Sequence, residues 1–273
     1  MLKSYLILTF LIFLILFFIK KTRKPFIWIY YEGNRYSFIN LCLKTVQKYC
    51  KTDFNIKLIN EKSICRYLPN IRKDLHSKLN AHQKAGYYKF NLLYKYGGIW
   101  LPPDIIIFKN LKSFNEKLNY YDFVSSQCYE EKCYKLADSF SSNEIIGSRK
   151  STLLMKNCII DCDRILNKNQ INKYFTFKKH ILLNNIQKLL YNEWNYFYFY
   201  SKCMERDSSN RIYTIDRLIS YENIDKKCID KLFFISLKNT TSDFPEWFKS
   251  RNENYILKDD LLISKFFNYS LQN

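Results

Sequence analysis

The sequence has few histidines and no Cys-x-x-Cys pair, which are the usual ligands of structural zinc sites. It has three histidines in 273 residues, and none of its nine cysteines belongs to a Cys-x-x-Cys pair. Since a structural zinc site needs four such ligands at short spacings, the sequence argues against one. Buried free thiols are the default prediction for the cysteines. Cys128 and Cys133 are the candidates for a local disulfide if the domain lies in an oxidising compartment.

Linkers, internal repeats and low-complexity segments are also missing after residue 24. The length allows one large domain or two small ones. The composition is 47% hydrophobic and 18% aromatic, which is ample for one core. We therefore predict a single domain over residues 25–273.

Acidic residues are scarce relative to basic ones, and the formal net charge is +19. Residues 1–24 contain five basic and no acidic side chains, so residues 25–273 carry +14. Such a domain suits anionic partners, among them nucleotide diphosphates. The lysines are scattered and no nucleic-acid motif accompanies them, so no nucleic acid is expected as a partner.

The amino terminus carries the longest apolar run of the chain. Tyr5–Ile19 is interrupted only by Thr9, and basic residues flank it on both sides. The run predicts an uncleaved transmembrane anchor with a basic flank over residues 1–24, which crosses the membrane through residues 4–20. A cleaved signal peptide is the competing interpretation, but no small-x-small cleavage site follows the run.

The sequence carries conflicting signals for the side of the membrane on which the domain would lie. Four basic residues after the run favour a cytoplasmic domain by the positive-inside rule. Two glycosylation sequons, at Asn239 and Asn268, would be used only in a lumen. The sequence thus predicts a single-pass membrane protein of undecided orientation.

The first elements predict an α/β sheet. Pro25–Gly33 reads as a buried strand, Asn40–Tyr49 as a helix and Phe54–Leu58 as a second strand. A strand–helix–strand order implies a right-handed crossover between parallel strands. We therefore predict a Rossmann-type fold, in which ligands bind beyond the carboxyl ends of the strands.

The most informative stretch is residues 84–104, which read KAGYYKFNLLYKYGGIWLPPD. Its apolar spacing predicts a helix over Ala85–Lys95, and Gly97-Gly98 provides the positive φ of a helix end. A short strand follows, and two prolines must interrupt it because they donate no ladder hydrogen bond. Asp104 comes directly after them, as a carboxylate at the end of a strand.

This stretch resembles the core of glycosyltransferase family 32, the capsular polysaccharide synthesis proteins and the glucosylating bacterial toxins. Their pattern is Ala-Asp-x-x-Arg, a helix, then Tyr-Gly-Gly-Ile-Tyr/Trp-x-Asp-x-Asp. Residues 93–100 fit it closely. Three positions depart from it, since Gly86 replaces the first Asp, Lys89 replaces Arg, and Pro102 replaces the first Asp of the Asp-x-Asp (DXD) motif.

The resemblance implies a GT-A-like nucleotide-sugar fold and assigns roles to two residues. Asp104 would be the metal ligand and a catalytic residue, holding a divalent cation, Mn or Mg, on the nucleotide diphosphate. Lys89 would be the second catalytic residue, neutralising phosphate as a point charge. Gly86 cannot replace a carboxylate. One carboxylate could still suffice, with phosphate and water as the other ligands.

The resemblance also implies a set of donor-binding residues. Trp28 would lie against the nucleotide base, although ordinary core packing is an equal alternative for a buried tryptophan. Asn143 would contact sugar hydroxyls, and Trp247 would close over the donor. Glu205 and Asp207 lie in a loop that resembles a carboxylate-bearing loop of the family. The donor-binding candidates are Trp28, Lys84, Gly97, Gly98, Trp100, Asn143, Ser148 and Trp247.

Together these observations predict a membrane-anchored glycosyltransferase. It would transfer a hexose from a nucleotide-diphosphate sugar to a hydroxyl of a glycan or glycoconjugate, with retention of anomeric configuration as the resemblance implies. Gly86, Lys89 and Pro102 motivate an alternative, a non-catalytic descendant that binds a nucleotide or a glycan, because a fold does not by itself imply a function.

Overall fold

The computed structural model describes residues 24–33, 35–126, 145–171, 181–182, 184–186, 196–199, 207–209, 211–237 and 244–272. Its strands are β1 (Phe26–Tyr30), β2 (Asn55–Ile59), β3 (Gly98–Leu101), β4 (Ile105–Ile107), β5 (Phe123–Ser126), β6 (Ile146–Ser148), β7 (Tyr196–Phe199) and β8 (Phe234–Ser236). The larger helices are α1 (Ser37–Cys50), α4 (Ala81–Tyr96), α6 (Leu153–Asn167) and α11 (Leu262–Gln272). The short ones are α2 (Glu61–Ile64), α3 (Leu75–Lys78), α5 (Lys112–Glu116), α7 (Ile215–Leu218), α8 (Lys226–Ile229), α9 (Glu246–Lys249) and α10 (Glu253–Lys258).

A six-stranded sheet organises the fold, with the order β2-β1-β3-β6-β5-β7. β1 pairs in parallel with both β2 and β3, whereas β6 runs antiparallel to β3 and β5. β4 and β8 form a separate antiparallel pair. The predicted α/β class and the opening strand–helix–strand unit are therefore confirmed.

The central helix α4 is longer than the apolar spacing predicted. It begins at Ala81 because Asn80 and Gln83 form a capping box, in which each side chain bonds the other's backbone N–H. Gly97 ends it with φ +69°, and its N–H donates to the carbonyl of Leu93. The same cap separates α4 from the short helix α3, which ends at Lys78.

The two faces of the sheet bury different sets of side chains. One face places Trp28 and Trp100 against α4 and α6. The other places Ile29 and Leu101 with residues of α1. Since neighbouring strand residues point to opposite faces, each strand supplies both cores. Helices α9, α10 and α11 join the α1 side in a third cluster.

Two predictions need correction. None of the helices within the described ranges is long and apolar enough to cross a membrane, so the predicted single-pass membrane localisation is not supported. The anchor predicted at residues 4–20 lies outside the described residues. Cysteines 42, 50, 65, 158 and 162 are free, as predicted, but Cys228 is disulfide-bonded.

Candidate functional site

The carboxyl ends of three parallel strands lie side by side. Tyr30 is in register with Ile59, and Ile29 is in register with Leu101. We call residues 30–33, 59–61 and 101–104 the carboxyl edge. In open α/β sheets this is the edge where ligands bind.

An ionic cluster occupies the β1–β2 part of the carboxyl edge. The ammonium of Lys84, on α4, lies 2.7 Å from a carboxylate oxygen of Glu61 and 3.8 Å from one of Glu32. Tyr30 donates its hydroxyl hydrogen to the other oxygen of Glu32, at 2.5 Å. The Lys84 side chain is 9% exposed, whereas the two carboxylates are 27–28% exposed. One buried cation thus orients two carboxylates that remain accessible from solvent.

The phenols beside this cluster are held in the protonated form. Burial, followed by the charge of Glu32, raises the pKa of Tyr88 to about 12. Burial and the hydrogen bond to Glu32 raise the pKa of Tyr30 still further. Both phenols therefore stay neutral at physiological pH, and Tyr30 keeps the hydroxyl hydrogen that it donates to Glu32.

Asp104 lies at the same edge, after β3, on the α1 side of the sheet. Its side chain is buried, and its carbonyl accepts a hydrogen bond from the N–H of Leu237. Its negative charge adds to the effect of burial in raising the pKa of the Cys42 thiol and of the Tyr31 phenol. These effects place the Asp104 carboxylate beside α1 and the end of β1.

The side chains at this edge do not form a metal site by themselves. Within the described ranges, no group of three or more His, Cys, Asp or Glu side chains could hold a metal ion. Asp104 provides a single buried carboxylate, and Pro102, also buried, has no side-chain ligand atom at the other motif position. The predicted Mn or Mg site is therefore not formed by the side chains of the described residues alone.

The structure does not bring the two predicted catalytic residues together. Lys89 lies on α4, and its charge acts on Cys158 and Cys162 of α6, partly offsetting the larger effect of burial that raises the pKa of both thiols. Asp104 acts on groups of the opposite face. Lys89 and Asp104 thus act on helices that pack on opposite faces of the sheet.

The glycine pair lies at the amino end of β3 instead, and Trp28, in the middle of β1, turns its indole toward that pair. Trp28 is fully buried, donates its indole N–H to the Gly97 carbonyl at 3.0 Å, and stacks on Phe26. A side-chain carbon at Gly98 would lie 2.4 Å from the Phe26 carbonyl oxygen. Gly97 and Gly98 therefore allow protein backbone to approach, and Trp28 has the surroundings of a core residue.

The remaining candidates lie in different places. Trp100 is buried in the same core as Trp28. Ser148 is fully buried and donates to the Arg149 carbonyl. Trp247, on α9, is 46% exposed. Asn143 and Glu205 lie outside the described residues.

The carboxylate of Asp207 accepts hydrogen bonds from its own loop and from α7. It accepts hydrogen bonds from the backbone N–H groups of Ser209 and Arg211 and from the guanidinium groups of Arg211 and Arg217. Burial alone would raise the pKa of Asp207, but these bonds and charges lower it below its usual range. This arrangement stabilises the loop.

Sequence reasoning missed Tyr30, Glu32 and Glu61. The available signal was positional, because Glu32 follows the first strand and Glu61 follows the second, so both had to reach the carboxyl edge. Their link through Lys84 joins residues 23 and more positions apart, which the spacing of the chain does not reveal.

Comparison with known proteins supports the fold. No protein-family profile and no curated protein matches the sequence. Among solved structures, the "WbbM bifunctional glycosytransferase apo structure" matches 92% of this chain and 50% of its own, with 10% identity and a TM-score of 0.53. The chain has a glycosyltransferase fold of the GT-A type.

Other matches are weaker. The apo form of the glycosyltransferase GlyE from Streptococcus pneumoniae TIGR4 gives a TM-score of 0.43 and 11% identity over 67% of this chain and 46% of its own. An active-site mutant of LgtC gives a TM-score of 0.44 and 11% identity over 84% of this chain and 98% of its own. This chain spans about half the length of WbbM and less than half that of GlyE. Membership of family 32 and the degenerate DXD motif stay predictions.

Proposed function

We propose that this protein is a glycosyltransferase that moves a sugar from a nucleotide-diphosphate sugar to a hydroxyl of a glycan. The observation that carries the proposal is the buried carboxylate of Asp104 at the carboxyl edge of a GT-A type fold. Ligands bind at this edge of an open α/β sheet, so a carboxylate at the end of β3 is positioned to act on a bound donor.

The ionic cluster supplies the second part of the proposed donor site. Glu32 and Glu61 are partly exposed acceptors at the ends of β1 and β2, and a carboxylate at the end of β2 is suited to accept hydrogen bonds from ribose hydroxyls. Lys84 keeps both carboxylates in place and also lowers the negative charge that an incoming diphosphate meets. We assign these three side chains to donor binding.

The leaving group requires positive charge as the glycosidic bond breaks, because a diphosphate develops negative charge at that point. Lys84 is already paired with Glu32 and Glu61, so Lys89 stays the predicted contributor of that charge. Asp104 would offer one ligand to a cation that arrives with the donor. Retention of anomeric configuration follows only from the sequence resemblance, and NMR of the product tests it.

A second candidate function is supported by one specific observation. Pro102 and Gly86 provide no side-chain carboxylate at two positions where the resembled pattern has Asp. A protein with this edge could bind a nucleotide or a glycan without transferring the sugar.

One experiment separates the two candidates. The full-length protein is incubated with UDP-, GDP- and CMP-linked sugars, with Mn²⁺ or with a chelator, and thermal stabilisation and release of the free nucleotide are recorded together. Stabilisation with release of nucleotide, reduced in Asp104→Asn, supports the transferase. Stabilisation without release, including when oligosaccharide acceptors are added, supports the binding module. A folded sample that responds to no donor and to no oligosaccharide contradicts both.

A further inference from the structure

A groove formed by α10 and the loop that precedes it has the side chains of a sugar-binding surface. It encloses about 550 Å³ and is lined by Ser250, Arg251, Asn252, Tyr255, Lys258 and Asp259. Tyr255 is 69% exposed, and Trp247 beside it is 46% exposed. The Arg251 guanidinium lies 4.6 Å from the centre of the Trp247 ring, so it connects the tryptophan to the groove.

Exposed aromatic rings at a polar groove suit a carbohydrate. The C–H face of a sugar ring packs on an aromatic ring, while its hydroxyls bond to amide, guanidinium and hydroxyl groups. The groove presents all of these within one short segment of chain, from Ser250 to Asp259. An exposed tyrosine and tryptophan in one place otherwise leave apolar surface in contact with water.

The charges around the groove select an uncharged ligand. All four acidic side chains between residues 246 and 260 form ion pairs, which are Glu246 with Lys249, Glu253 with Lys44, Asp259 with Arg251 and Asp260 with Lys265. Lys258 is the additional cation of the lining. Because the other charges cancel in pairs, the groove carries a single excess positive charge, whereas phosphate backbones and nucleic acids are bound by several basic side chains.

The position of the groove connects it to the carboxyl edge. Phe244 and Phe248 pack on Phe38, at 5.0 and 6.0 Å between ring centres, and Phe38 is the second residue of α1. Helix α1 begins four residues after Gly33, the end of the carboxyl edge. The segment that carries the groove therefore packs on the start of α1, the helix that follows the carboxyl edge.

We infer that the groove lined by Tyr255 binds a neutral oligosaccharide as the acceptor subsite of the proposed transferase. The assignment of the groove as an acceptor subsite rests on the proposed function, whereas sugar binding itself rests on the groove alone. Tyr255 provides the stacking platform, and Arg251 and Asn252 provide hydrogen-bond donors toward sugar hydroxyls.

The test measures oligosaccharide binding to the full-length protein by titration calorimetry. The neutral probes are maltohexaose, cellohexaose, laminarihexaose and chitohexaose, and trigalacturonic acid is the anionic probe. We expect at least one neutral probe to bind, and Tyr255→Ala to weaken it about five-fold or more, the scale of one aromatic contact. Tyr221→Ala is the matched control, since Tyr221 is a similarly exposed tyrosine (73%) outside the groove, and it should leave the affinity unchanged.

Three results would overturn the inference. They are no binding of any neutral probe at millimolar concentration, an equal loss in Tyr255→Ala and Tyr221→Ala, or preferred binding of trigalacturonic acid that is lost in Lys258→Ala. Thermal stabilisation by nucleotide sugars is recorded on the same wild-type sample. Donor binding without oligosaccharide binding refutes the groove alone, whereas oligosaccharide binding without any donor response refutes the proposed transferase and keeps the groove as a glycan-binding site.

Discussion

The two ends of the parallel strands use the same stretch, residues 84–104, for opposite purposes. At the amino end, Gly97 and Gly98 approach the protein backbone, and Trp28 turns its polar N–H inward to Gly97. At the carboxyl edge, Lys84 pairs with Glu61, and the buried Asp104 follows β3. The difference teaches that the glycine pair, the best-matched part of the motif, is structural, and that the residues with ligand chemistry lie elsewhere.

The largest expected effect is a loss of stability from a substitution at the amino end of β3. Gly98→Ala should destabilise the protein by about 3 kcal/mol or more, because the new side-chain carbon would lie 2.4 Å from the Phe26 carbonyl oxygen while φ is +99°. Urea-induced unfolding measures the change in the free energy of unfolding.

Gly33→Ala is the matched control for that substitution. Gly33 also has positive φ, +93°, but a side-chain carbon there would meet no atom within 4 Å. It should cost about 1–2 kcal/mol from backbone conformation alone. Equal losses in the two variants would show that the close approach to β1 is unimportant.

The next effect concerns the carboxyl edge. Asp104→Asn should lower the rate of nucleotide release from the donor by about 100-fold, the scale of removing one preorganised charged group from an active site. Asp53→Asn is the control at the amino end, where Asp53 precedes β2 and accepts a hydrogen bond from Asn110. A similar rate in both variants would remove Asp104 from the site.

A smaller effect is expected for the ionic cluster. Lys84→Met should destabilise the protein by about 1–2 kcal/mol, because it leaves Glu32 and Glu61 without their buried cation. Partial exposure of both carboxylates keeps this below the cost of breaking a fully buried pair. Lys78→Met, which breaks the exposed pair with Asp74, should cost about 0.5 kcal/mol or less.

The double variant Lys84→Met/Glu61→Gln sharpens that measurement. It should be more stable than the sum of the two single changes implies, because the second substitution removes one of the unpaired carboxylates. Strict additivity in urea-induced unfolding would mean that the pair contributes no coupling.

The smallest effect is a dependence on alkaline pH. The folded protein raises the pKa of Tyr88 to about 12 through burial and the charge of Glu32, whereas an unfolded tyrosine titrates near 10. The stability that this shift contributes is therefore present below about pH 10 and is lost as the pH rises toward 12. Tyrosinate absorbance followed against pH should show the late phenol, and Glu32→Gln should lower its pKa because a negative charge is lost.

Much of this comparison could be predicted from the sequence, because its signals are local. The β1–α1–β2 unit, the helix before Gly97 and the position of Asp104 after β3 all follow from spacing and from glycine and proline chemistry. The beginning of α4 depends on a capping box at Asn80, which apolar spacing does not register.

The side-chain partnerships could not be predicted in the same way. Lys84 pairs with Glu61 because α2 and α4 meet beyond the strand ends, and Trp28 bonds to Gly97 across 69 positions of chain. Such contacts depend on how the faces of the sheet are packed. A shift of one residue in strand register moves each side chain to the opposite face. This is why Lys89 and Asp104, which the motif pattern groups together, lie on opposite faces.

The most direct test of the central claim is hydrogen–deuterium exchange of the full-length protein, with and without the nucleotide sugar that stabilises it most. We predict that the donor slows exchange at the carboxyl edge, in residues 30–33, 59–61 and 101–104, and leaves residues 97–98 unchanged. Protection centred on Gly97-Gly98 and Trp28, with none at the carboxyl edge, would contradict the account.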